Sequence, residues 1–173
     1  MSKTRKSSYV WFAGLISISG GIKILITKKA LEGTPVFLID SEEPFGKVEG
    51  ISISKTNGLV DALIIETLSI IPIKRRVEIS DIHKLTSKRI VLNRKYSAKK
   101  INFDSESVCE KDIVGIKNQK GQIKKIKDFR FDFETGEITD FIFKPTFFYK
   151  QETVPVKELK IQENKVYIKP IQE

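Results

Sequence analysis

Val48 to Ile65 falls on Ile126 to Phe143 without a gap: apolar residues meet apolar residues, and Gly58 meets Gly136. An internal repeat of this size calls for two small β modules rather than one large enzyme core. The 173-residue chain accommodates two units of roughly 65 to 80 residues each. Cores that small are marginal, so the two units are expected to support one another by packing. The apolar residues are rich in Ile, Val and Phe, which suit a pleated, half-buried surface. An all-β class follows, with two tandem small β modules and an amino-terminal β extension.

The first module is expected over residues 31–93. Thr34 to Ile39 reads as a strand, Gly46 to Ser54 as a long strand, and Lys55-Thr56-Asn57-Gly58 as a turn suited to left-handed backbone angles. Leu59 to Glu66 returns antiparallel. Ile70 to Ile73, Val77 to Ile79 and Arg89 to Leu92 read as short strands, and Ser80 to Leu85 as a helical turn capped by Ser80. The second module, 108–173, repeats this plan, with strands at Ile113 to Ile116, Gln122 to Asp132 and Ile138 to Phe143. Val154 to Leu159 then matches Val77 to Ile82, and Val166 to Ile168 matches Ile90 to Leu92. Between the modules, residues 94–107 begin with the basic run Arg94-Lys95-Tyr96-Ser97-Ala98-Lys99-Lys100 and read as a linker.

Residues 1–30 admit three readings. The uncharged stretch from Ser7 to Ile22 is too short and too rich in Gly and Ser for a membrane-spanning helix. Lys3, Arg5 and Lys6 ahead of an apolar run fit a signal peptide, but without its Leu/Ala-rich centre. Ile16 and Ile18 alternate with Ser17 and Ser19, Gly20-Gly21 supplies a turn, and Ile22, Ile24 and Ile26 alternate again, which favours a β-hairpin.

Gly33-Thr34-Pro35-Val36, Phe45-Gly46-Lys47-Val48, Asn57-Gly58-Leu59-Val60 and Val77-Glu78-Ile79-Ser80-Asp81-Ile82 occur in order in the first module. Lys120-Gly121, Ile126-Lys127-Asp128, Asp132 to Ile138 and Val154 to Leu159 occur in the second. Both sets resemble the PRC-barrel family, the small β-barrel of the photosynthetic reaction-centre H subunit and of a bacterial ribosome-maturation factor. The resemblance implies a non-catalytic binding module, an adaptor that docks on RNA–protein assemblies, membrane complexes or archaeal division proteins. Lys124 stands where the first module has Gly46, and Gly50 where the second has Asp128. A surface feature built on those positions is therefore not expected to be shared.

Composition narrows the chemistry further. With Cys109 the sole cysteine and His83 the sole histidine, no intrachain disulfide, thiolate cluster or multi-imidazole zinc site can form. A reducing, cytoplasmic setting fits, with no cofactor, metal, catalytic set or small-molecule substrate expected. The net charge is +9, of which Lys3, Arg5, Lys6, Lys23, Lys28 and Lys29 supply six before the first acidic residue, Glu32.

Lys127-Asp128-Phe129-Arg130-Phe131 resembles the aromatic strand of RNA-recognition sheets. Ile51 and Ile53 at the matching positions instead make Phe129 and Phe131 core. His83 is expected at the surface and Cys109 as a small apolar filler. The residues expected to contact a partner or nucleic acid are Lys74, Arg75, Arg94, Lys95, Lys124, Lys125, Lys127 and Tyr149. A protein is the expected partner. The alternatives are RNA or a ribosome, reached through the lysine faces, and a membrane surface, reached through residues 9–26.

Overall fold

The computed structural model describes residues 15–18, 21–93, 99–100, 107–110, 116–117, 123–124, 126–143, 152–162 and 165–170. The fold is all-β. Its strands are β1 (Leu15–Ile18), β2 (Gly21–Thr27), β3 (Pro35–Leu38), β4 (Pro44–Ser54), β5 (Val60–Thr67), β6 (Lys74–Glu78), β7 (Ile82–Leu85) and β8 (Ile90–Leu92). There follow β9 (Lys99–Lys100), β10 (Ser107–Cys109), β11 (Ile116–Lys117), β12 (Ile123–Lys124), β13 (Ile126–Asp132), β14 (Ile138–Phe143), β15 (Glu152–Gln162) and β16 (Lys165–Pro170). A single helical turn, α1 (Lys28–Leu31), is capped by Thr27, whose hydroxyl accepts from Ala30 N at 3.1 Å.

The two matching sequence segments pair alike. Val48, Gly50, Ile51, Ser52 and Ile53 of β4 face Ile65, Ile64, Leu63, Ala62 and Val60 of β5. Ile126, Asp128, Phe129, Arg130 and Phe131 of β13 face Phe143, Ile142, Phe141, Asp140 and Ile138 of β14. Both pairs carry bulges at the same two steps, at Glu49 and Lys127 and again at Asp61 and Thr139. The turns match as well: Gly58 N donates to Ser54 O at 2.9 Å and Gly136 N to Asp132 O at 2.8 Å, both glycines at positive φ. β3 runs parallel to β8 as β11 runs parallel to β16.

The hydrogen-bonded paths are open rather than closed barrels: β1-β2-β13-β14-β15-β16-β11-β12, and β7-β8-β3-β4-β5-β6-β9 with β10 on β4. In the first repeat the chain itself turns the corner between β6 and β7, through a 3-10 turn at Ile79–Asp81. Ser80 lies inside that turn, whose N-cap is Glu78, so the expected serine cap is not made. Ile70 to Ile73 is not a strand. Pro72 cannot donate to a ladder, and the segment forms an exposed loop between β5 and β6.

Each repeat completes its sheet with a strand that precedes the other. β2, ahead of the first repeat, pairs with β13 of the second, placing Ile26 opposite Phe131. β10, ahead of the second, pairs with β4 of the first, placing Val108 opposite Ile53. Ile26 and Val108 thus enter one continuous core that includes Ile51, Ile53, Leu63, Phe129, Phe131 and Phe141. The expected amino-terminal hairpin exists, but it closes Ile18 on Gly21 rather than turning at Gly20-Gly21. The expected linker also contributes to a sheet, since Lys99–Lys100 forms β9 against β6.

Candidate functional site

β5, β6 and β9 bring the basic residues of the first repeat together. Alternation along β6 pairs Lys74 with Glu66, Arg75 with Ile65 and Arg76 with Ile64 across the β5 ladder. On the other side, Arg75 stands opposite Lys100 and Arg76 opposite Lys99. Lys74 Nζ lies 2.8 Å from Glu49 Oε1, and that hydrogen bond raises the lysine pKa above its ordinary value. Stabilisation from this pair is complete below the ordinary lysine pKa and is lost as pH rises through the raised one. Arg76 reaches Asp61 at 3.0 Å and Glu78 at 3.5 Å, while Ser107 Oγ donates to Asp61 Oδ2 at 2.8 Å. Arg75 is half-buried.

The remaining expected contact residues do not join this face. Lys127 is exposed at the bulge of β13, and Lys124 lies on β12 opposite Ile116. Arg94, Lys95, Lys125 and Tyr149 lie outside the described residues. Phe129 and Phe131 are buried, with ring centroids 6.0 Å apart, and Phe141 lies 5.8 Å from Phe129, so this stripe is core and not a base-stacking platform. His83 is exposed on β7. In the amino-terminal stretch read as a membrane holder, Leu15–Ile18 and Gly21–Thr27 are sheet strands, and residues 9–14 lie outside the described residues. Among the described residues, no helix is long and apolar enough to cross a membrane.

A buried polar cluster sits where the exchanged strands meet. Glu110, directly after β10, accepts from Ile51 N at 2.7 Å and from the Cys109 thiol at 3.3 Å, and lies 3.6 Å from Lys28 Nζ. In the second repeat the corresponding carboxylate is Asp128, which accepts from Phe129 N at 2.8 Å and from Lys29 N at 3.1 Å. Gly50 carries no carboxylate where the second repeat has Asp128, and Glu110 supplies one from another strand. A Cβ at Gly50 would stand 3.0 Å from Glu110 Oε2, so the glycine makes the room. Cys109 is buried as expected. The Glu110 carboxylate ties β10 to β4, and the Cys109 thiol donates to it from the adjacent residue, which gives this cluster a structural role. Among the described residues, no three His, Cys, Asp or Glu side chains are grouped to hold a metal.

The second repeat carries the bulged β13–β14 pair and the parallel β11–β16 pair. Residues 100–173 match the PRC-barrel domain family. The first repeat shares these ladder registers and lies outside the matched span. PRC-barrel domains often mediate protein interaction, and they are generally non-catalytic. No curated protein matches the chain.

The exposed Leu68–Ile73 loop was not among the expected contact residues. Its signal in the sequence is Ile70-Ile71 followed by Pro72, adjacent apolar residues that no half-buried strand can place on one face.

Proposed function

We propose that the protein is a cytoplasmic, non-catalytic adaptor that docks on a partner protein or assembly, with residues 31–93 acting as a second PRC-barrel-like module beside 108–173. The observation that carries this reading is the strand exchange, β2 on β13 and β10 on β4. It holds two similar bodies around one core and so presents two related surfaces at a fixed spacing. A scaffold draws on that rigidity directly, because a partner that engages both surfaces gains the second contact without a further entropy cost. Open sheet paths that end on β1 and β7 provide edges for strand addition.

An affinity pulldown with the tagged full chain from the native host, with and without nuclease, tests the reading. One or two proteins that persist after nuclease and bind the purified chain directly are the expected result. Capture of ribosomal or RNA-bound proteins that vanish with nuclease replaces the adaptor reading with RNA assembly. Neutralising Lys124, Lys125 and Lys127 together should then abolish binding.

A further inference from the structure

Four large aliphatic side chains stand out from one short loop. Between β5 and β6, Leu68 is 58% exposed, Ile70 103%, Ile71 75% and Ile73 42%. Scattered exposed aliphatics are ordinary, but a contiguous set at a tip marks a contact surface. The loop has a defined internal structure. Thr67 N donates to Ile73 O at 3.0 Å, Ile73 N to Thr67 Oγ1 at 3.1 Å, and Ser69 Oγ to Ile71 O, while the Thr67 and Ser69 hydroxyls lie 2.9 Å apart. Pro72 has no N–H to satisfy. Thr67 N, Ile73 N, Ile71 O and Ile73 O are thus bonded inside the loop while the aliphatic groups face outward.

Cations border the same tip. Lys74, Arg75 and Arg76 follow Ile73 directly, and β9 sets Lys100 opposite Arg75 and Lys99 opposite Arg76. Lys74 and Arg76 share one side of β6 with the carboxylates they pair with, Glu49, Asp61 and Glu78, whereas Arg75 alternates to the other side and pairs with no carboxylate among the described residues. The acidic turn Asp40 to Glu43 borders the opposite end, where Leu68 N bonds Phe45 O, so an anionic surface is met from the Ile73 side.

A nucleic acid would use the cations and leave the aliphatic tip in water, and an apolar protein pocket would do the reverse. We infer that the loop Leu68–Ile73 inserts into an anionic lipid bilayer, with Arg75, two residues beyond the tip, lying against the headgroup phosphates. Apolar insertion backed by basic residues is the general physics of peripheral membrane attachment. The inference is independent of the adaptor reading, since it requires no protein partner.

Co-sedimentation of the purified full chain with phosphatidylglycerol-containing vesicles, against phosphatidylcholine alone, tests it. The expected result is binding to the anionic vesicles that weakens with salt, falls at least about tenfold in the Ile70→Ser/Ile71→Ser double variant and falls roughly fivefold in Arg75→Gln. As a second readout independent of that double variant, Ile71→Trp should show a blue shift in emission on vesicle addition beyond that of the parent, whose only tryptophan is Trp11. Equal binding by the parent and the double variant, no preference for anionic vesicles, or no added blue shift in the Ile71→Trp variant overturns the inference. Loop-dependent self-association without vesicle binding assigns the tip to a second copy and overturns it too.

Discussion

At the bulge of each repeat a carboxylate accepts from a buried backbone N–H, Asp128 from Phe129 N in one and Glu110 from Ile51 N in the other. Glu110→Ala leaves Ile51 N without this acceptor and is expected to cost about 1–3 kcal/mol. Gly50→Asp alone crowds a second carboxylate against Glu110 and should also destabilise. The two together rebuild the arrangement of the second repeat, so urea denaturation should give a double-mutant coupling of about 1 kcal/mol or more. Additive losses would refute the equivalence. Glycine provides a second contrast. Gly33 (φ 79°) has open space where a methyl would be added, whereas a Cβ at Gly136 (φ 73°) would collide with Val60 O, whose own N–H bonds Gly136 O at 2.8 Å. Gly33→Ala should cost about 1 kcal/mol from the left-handed backbone alone. Gly136→Ala should cost clearly more, and equal thermal midpoints would contradict the collision. Phe129 and Phe131 can be read as core from their period-two spacing. The role of Glu110 cannot, because its partner is 59 positions away.

The bulges at Glu49 and Lys127 determine which side chains of β4 and β13 face inward. Side chains alternate with period two, so removing a bulge residue turns every residue beyond it to the opposite face. Deletion of Lys127 should therefore abolish the cooperative unfolding transition, whereas Lys127→Ala, at an exposed position, should leave the thermal midpoint nearly unchanged. A cooperative, near-native deletion variant would show that the register is set elsewhere. The hairpins are legible in the sequence because alternation and the Asn57-Gly58 and Thr135-Gly136 turns are local signals. Ile70 to Ile73 misleads because four apolar residues in a row resemble a strand in composition. What excludes it from the sheet is Pro72 together with hydrogen bonding closed within the loop by Thr67 and Ser69.

At the scale of the molecule, neither half holds its complete set of strands. A fragment ending at Asn93 lacks β10, and one beginning at Arg94 lacks β2. Each half alone should show no cooperative transition by circular dichroism, and mixing them should restore the fold as a one-to-one complex on size exclusion. Two halves that unfold cooperatively on their own would make the exchange dispensable. By itself, the sequence determined the β class, the doubled hairpin and its turns, the burial of the Phe stripe and the presence of an amino-terminal hairpin. All of these rest on periodicity and turn chemistry within a few residues of chain. Only the tertiary structure decided that β2 and β10 cross between repeats, that Glu110 stands in for the carboxylate absent at Gly50, and that β9 joins β6 with Lys100 and Lys99 in register with Arg75 and Arg76. These pairings join residues far apart in the chain, where complementarity of sheet edges and burial, rather than any local pattern, selects the partner.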